Sequence, residues 1–237
     1  MSEKNVASVK FVNSKSEKIF NLKEHALIGI SPFNSYYSEE NLKRLFAWGL
    51  NLNHFKEVNI FIPDGISAYT LQAMGYSEEK AKKKTKLHDN NLKNKAIRAL
   101  VANNVVDVEA NNMMVFCSDL MKSESYLKFY DNYKKLYESN EDFKEGCLAT
   151  SKMVLASKGF QGDMNDEAVG VAAKYFIAEL PVYLNTPEIL NVSSSLYVYK
   201  DLPSEFLMKI YNKESQFSSH MSLKQGYLAV DFREEVL

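Results

Sequence analysis

Two short apolar runs constrain this chain most: Ala26-Leu27-Ile28-Gly29-Ile30 and Val58-Asn59-Ile60-Phe61-Ile62. Each is too short for a buried helix and each stops on a turn signal, Ser31-Pro32 after the first and Pro63-Asp64-Gly65 after the second. A strand with one wet face would alternate, so these read as strands covered on both faces. Between them, Ser38-Glu39-Glu40 offers a cap with acidic first-turn residues. Leu42, Leu45, Phe46 and Leu50 then follow at helical spacing. Strand, helix and strand within about forty residues make a βαβ unit, with parallel strands and a right-handed crossover. The predicted class is α/β, a mostly parallel sheet flanked by helices.

The rest of the chain fits that class. Residues 67–102 read as mainly helical with an interruption near Gly75, and 121–180 as successive helices with breaks near Asn140 and around 159–163. Val105-Val106-Asp107-Val108 suits either a strand or a helix start. Asn185-Thr186-Pro187-Glu188 resembles a cap with proline at the first helical position. Ser195–Tyr199 alternates as a strand does, and 226–231 reads as a last strand. Residues 1–24 are polar and lysine-rich, predicting a frayed start and then a short edge element. About five helices around a small sheet follow from this pattern. With no internal repeat or low-complexity linker, 1–237 is expected to be one domain.

Composition excludes several classes of function. The chain carries 29 basic and 30 acidic groups. A surface devoted as a whole to nucleic acid is therefore excluded, and DNA is not an expected partner, although a local basic patch is compatible. Cys117 and Cys147 form no CxxC pair, and His25, His54, His88 and His220 are scattered. Neither a disulfide scaffold, a metal site nor a cofactor is expected. The start of the chain shows no apolar leader and no run reaches the ~18 apolar residues of a membrane span. The expected setting is the cytoplasm, away from membranes.

Three constellations remain as carriers of chemistry. Gly29-Ile30-Ser31-Pro32-Phe33-Asn34 follows a buried strand, where an open α/β sheet holds its ligands. Glycine at 29 would let a bound group approach the backbone, proline biases Ser31 toward an extended conformation, and Asn34 could hold a carbonyl or amine. By position alone an ordinary Ser-Pro loop start fits as well. The esterase elbow G-x-S-x-G is absent, since residue 33 is phenylalanine. The second constellation is Tyr175 and Glu179, four apart on one helix face before Pro181. They could bind a substrate ammonium or shuttle a proton, or form a plain surface pair. The third is the basic stretch from Lys80 to Arg98, a phosphate-binding face or simply a solvated one.

These segments, taken in order, resemble the cyclodipeptide synthase family. The resemblance rests on G-x-S-x-x-N at Gly29, Ser31 and Asn34, and on Tyr-x-x-x-Glu-Leu-Pro at 175–181. Asn185-Thr186-Pro187 and Ser194–Tyr199 follow in the expected order, so the likeness spans residues 22–231. It implies a Rossmann-like sheet similar to the catalytic domain of class I tyrosyl- and tryptophanyl-tRNA synthetases. It also implies an aminoacyltransferase that takes two aminoacyl-tRNAs through an aminoacyl- and then a dipeptidyl-serine to a 2,5-diketopiperazine. On that resemblance Ser31 accepts the acyl group, and Tyr175, Glu179 and Tyr199 hold it or move protons. Gly29 and Asn34 line the aminoacyl pocket, and Lys93, Lys95 and Arg98 contact tRNA. Where one subfamily has histidine after the tyrosine, this chain has Lys200. Hydrophobic substrates such as leucine are expected, in a pocket lined by Ile28, Ile30 and Val115 or Leu184, and a monomer is the favoured state. The alternatives are an ATP-using synthetase-like enzyme and a non-catalytic tRNA-binding module.

Overall fold

The computed structural model describes residues 7–160 and 164–232. Six strands form one sheet: β1 (Ser8–Phe11), β2 (His25–Gly29), β3 (Glu57–Ile62), β4 (Met114–Phe116), β5 (Ser195–Tyr199) and β6 (Gln225–Asp231). Their order is β1-β6-β5-β2-β3-β4, with every pair parallel except β1 against β6. The helices are α1 (Ser14–Leu22), α2 (Glu39–Ala47), α3 (Ala68–Ala73), α4 (Glu78–Val101), α5 (Asp107–Asn112), α6 (Cys117–Leu120), α7 (Glu124–Ser139), α8 (Glu141–Ser157), α9 (Asp166–Leu190) and α10 (Glu205–Tyr211).

Strand alternation explains the layers. Ala26 and Ile28 of β2, Ile60 of β3, Val198 of β5 and Leu228 of β6 enter one core, with α2 and α4. Leu27, Phe61, Tyr197 and Tyr227 enter the other, with α7 and α9. Every residue of β2 is buried, as its unbroken apolar run requires. Ile28 stands beside Ile60 on one side and Val198 on the other, which fixes β2 at the centre of the sheet.

Several expectations need correction. Residues 14–22 form helix α1 rather than part of an edge element, because Asn13 caps it by accepting the Ser16 N–H at 2.9 Å. The edge element is β1, which pairs Val9 with Val230. Ten α-helices are described rather than about five, since short α3, α5, α6 and α10 carry little periodic signal. Val105 and Val106 lead into α5 as a helix start, and β4 follows it unforeseen at three residues long. The break between α8 and α9 lies partly outside the described residues. At Asn185 the backbone leaves helical geometry (φ −140°, ψ 25°) and helix resumes beyond it, as the cap-then-proline pattern implies.

Candidate active site

From β2 the chain runs outward through β3 to β4, then returns to β5 on the other side of β2. The carboxyl ends of β2 and β5 therefore frame a topological switch point, where open α/β sheets bind ligands. A cavity of about 760 Å³ opens there, and its wall includes Ser31, Asn34, Tyr175, Glu179 and Tyr199. Residues from a strand end, a loop, a long helix and a second strand end thus meet in one space.

The turn bearing Ser31 is tightly held. The Ile30 N–H donates to the Phe61 carbonyl at 3.1 Å, extending the β2–β3 ladder up to the serine. Ser31 Oγ makes only a long contact to the Pro32 carbonyl, 3.4 Å, and the Tyr199 hydroxyl lies within its hydrogen-bonding reach. Burial pushes the Tyr199 phenol up to about 12, so it stays protonated at neutral pH and can donate. Phe33 adopts a left-handed conformation (φ 55°), which is unfavourable for a bulky residue. Its ring packs on His88 at 4.1 Å and its N–H donates to His88 Nε2 at 3.3 Å, which retain that conformation. Asn34 Oδ1 accepts the Tyr36 N–H at 3.0 Å, so this side chain shapes the turn as well as lining the cavity.

Gly29 is packed against a neighbouring strand. It is absent from the cavity wall, because Tyr197 occupies the space above it. A Cβ on residue 29 would lie 2.1 Å from the Tyr197 hydroxyl oxygen. Glycine is needed here because Tyr197 of the neighbouring strand β5 fills the space a side chain would take. Ile28 and Leu184 are likewise buried in the two cores, and Val115 lies on β4; of the four apolar residues expected in the wall only Ile30 is there.

Glu179 is the electrostatic centre. It is buried, and its two carboxylate oxygens accept hydrogen bonds from Tyr175 at 2.9 Å and Tyr183 at 3.0 Å. The three side chains are spaced by four residues along α9 and so project from one face. Burial raises the Glu179 carboxyl to about 7, while the two tyrosines and the Lys158 ammonium oppose that rise. Such a group changes charge near neutrality, as a proton relay requires.

Two wall residues with polar contacts in the site, Tyr183 and Lys158, escaped the sequence reading. Tyr183 continues the Tyr175–Glu179 spacing and was recoverable from it. Lys158 follows the end of α8 in a segment with no periodic signal, and donates to the Pro32 carbonyl at 3.0 Å. Lys200 pairs with Asp201 at the end of β5, with its ammonium 5.8 Å from the Tyr36 ring centre.

The basic candidates do not form one face. Lys93 and Lys95, two residues apart, point about 200° apart around the α4 axis, and the Lys93 ammonium lies 5.4 Å from the centre of the Phe116 ring. Arg98 is paired with Glu39 at 2.8 Å. Lys84, on the Lys95 side of the helix, reaches the cavity wall and bonds the Tyr76 hydroxyl at 3.0 Å.

The family model "Cyclodipeptide synthase" matches residues 8–231, which include every residue of the site. The chain belongs to the cyclodipeptide synthase family. Its relatives include a cyclo(L-leucyl-L-leucyl) synthase of Staphylococcus haemolyticus, 30% identical over 93% of this chain and 92% of that one. A cyclo(L-leucyl-L-leucyl) synthase of Bacillus subtilis is also 30% identical, over 93% of this chain and 87% of that one. Among solved structures, a cyclodipeptide synthase from Staphylococcus haemolyticus superposes with a TM-score of 0.85 at 28% identity, covering 95% of this chain and 98% of that one. A Mycobacterium tuberculosis cyclodipeptide synthetase, described as related to type I tRNA-synthetases, gives 0.81 at 26% identity over 97% and 95%. The α/β sheet is thus that of the cyclodipeptide synthases, a family of peptide-bond-forming enzymes. Among the described residues, no helix of this cyclodipeptide synthase is long and apolar enough to cross a membrane.

Proposed function

We propose that this protein is a tRNA-dependent aminoacyltransferase that builds a 2,5-diketopiperazine from two aminoacyl-tRNAs, with Ser31 as the acyl carrier. The observation that carries the reading is the meeting of Ser31, Tyr199 and the buried Tyr175–Glu179–Tyr183 set in one cavity at the switch point. An aminoacyl-tRNA ester is already activated, so a serine needs less help from a base than it would against an amide.

In the first step Ser31 Oγ attacks the ester carbonyl, the bond to the ribose oxygen breaks, and the proton leaves with the tRNA hydroxyl. Ionised Glu179, with Tyr175, anchors the substrate ammonium and places its carbonyl over Ser31. The amine of the acyl-enzyme then loses a proton and attacks the ester of the second aminoacyl-tRNA. That releases the second tRNA and leaves a dipeptidyl-Ser31. Its terminal amine attacks the Ser31 ester, closing the six-membered ring and returning the proton to Ser31. Glu179 and Tyr199 are assigned to relay the protons, and Asn34 to line the acyl site.

Ile30, Leu71, Met74 and Leu155 in the cavity wall support hydrophobic acyl groups. The leucyl-leucyl synthases among the relatives support leucine in particular. Lys95, with Lys93 and Arg98, is assigned to tRNA phosphates. Incubating the protein with leucyl-tRNA and analysing the products by mass spectrometry tests the reading. Cyclo(leucyl-leucyl) is expected from the native chain and none from Ser31→Ala. Full output from Ser31→Ala would end the proposal.

A further inference from the structure

Lys158 is a polar group of the cavity to which the reaction above gives no task. It follows the end of α8, far in sequence from the Ser31 turn, and its ammonium donates to the Pro32 carbonyl at 3.0 Å. The other lysines of the wall are otherwise engaged: Lys200 is in an ion pair with Asp201, and Lys84 is bonded to the Tyr76 hydroxyl. Lys158 forms no ion pair among the described residues, and a carbonyl leaves its charge uncancelled. A flexible side chain with a strongly hydrated head is not ordinarily drawn into such a place without a compensating interaction.

We infer that Lys158 is a positioning residue, whose ammonium fastens the Ser31 turn to the α8 side of the cavity and holds a positive charge toward Glu179. The inference rests on the proposed function of Ser31 and Glu179. Geometry carries it. The Pro32 carbonyl belongs to the peptide unit next but one after Ser31, so a bond to it limits the travel of Oγ. Phe33 just beyond is already locked on His88, so Lys158 and His88 hold the carbonyl and the N–H of one peptide unit, Pro32–Phe33.

The electrostatic half follows from what surrounds Glu179. Tyr175 and Tyr183 bond it from its own helix. Tyr197 and Tyr199 from β5, Cys117 from α6 and Tyr126 from α7 also feel its charge. Each of these is neutral in its protonated form. Lys158 is the cation that acts on Glu179 directly, opposing the rise that burial imposes; on Lys158 itself burial, with Lys200, works against the charge and Glu179 favours it. Removing the Lys158 charge therefore pushes the Glu179 carboxyl higher and reduces its ionised fraction at neutral pH.

The test is single-turnover acylation by leucyl-tRNA from pH 5.5 to 9, with acyl-Ser31 quantified by intact mass. Native enzyme, Lys158→Gln, Lys158→Met and Lys158→Arg are compared, with tRNA affinity measured in parallel. For Lys158→Gln the acid limb is expected to move up by about one pH unit, the low end for a charge beside a carboxylate. The rate at pH 7 then falls about fivefold while tRNA affinity stays within about twofold. Lys158→Met, which also loses the hydrogen bond, should fall further and stay lower at pH 9, and Lys158→Arg should restore the limb. A native-like limb in both Lys158→Gln and Lys158→Met, or a loss explained by tRNA affinity alone, overturns the inference. Native enzyme that turns over without an acyl-Ser31 overturns the proposed function instead, so the two failures are distinguishable.

Discussion

Replacing Glu179 with glutamine should remove activity and yet stabilise the fold above neutral pH. The native carboxyl is buried between two phenols and raised from 4.5 to about 7. A carboxyl with a raised folded-state value contributes full stability below its unfolded value, and that contribution is lost as pH climbs through the folded value. The window is therefore about pH 4.5 to 7. A rise of about two and a half pH units at 1.36 kcal/mol each gives about 3 kcal/mol lost across it. Glutamine keeps the shape and an oxygen acceptor without the charge. Urea unfolding of both proteins at pH 4.5, 6 and 8 should give a stability difference that grows in favour of the variant by up to about 3 kcal/mol. In thermal scans that is roughly 6–12 °C for a chain of this size. A difference that stays flat from pH 4.5 to 8 would refute the assignment of Glu179 as a buried carboxyl titrating near neutrality.

Two further predictions concern packing and charge. Gly29→Ala places a methyl 2.1 Å from the Tyr197 oxygen and 2.5 Å from its ring. It should cost about 1–3 kcal/mol, and a double-mutant cycle with Tyr197→Leu should recover at least about 1 kcal/mol of it; strictly additive losses would contradict the contact. Lys95→Glu should lower tRNA affinity and reduce the salt slope by about one charge. Arg98→Ala, whose guanidinium already pairs with Glu39, should do so less; equal effects in filter binding over a salt series would count against this ranking.

Much of the fold was legible because two strands are buried on both faces. That gives β2 and β3 an unambiguous signature and fixes the parallel class. The Ser31 turn was legible through Pro32, and the α9 carboxylate through the four-residue spacing of Tyr175 and Glu179. Other features depend on neighbours distant in sequence. Gly29 looked like an opening for a ligand because nothing local reveals that Tyr197, from β5, fills the space above it. The near-neutral character of Glu179 depends on burial and on a lysine from another loop. Lys158 lies in an aperiodic segment, so its reach to Pro32 follows only from how α8 ends. The α4 basic stretch was legible in part: helical spacing puts Lys84 and Lys95 on one side, whereas Lys93 points about 200° away from Lys95 around the helix.

The claim at the centre of this account is that Ser31 carries an acyl group through the reaction. Rapid acid quench after mixing native protein with leucyl-tRNA, followed by peptide mapping, tests it most directly. The account predicts a leucyl ester on the peptide containing Ser31, and its conversion to cyclodipeptide when more leucyl-tRNA is added. Cyclodipeptide formed at full rate with no acyl group on Ser31 at any time would contradict it.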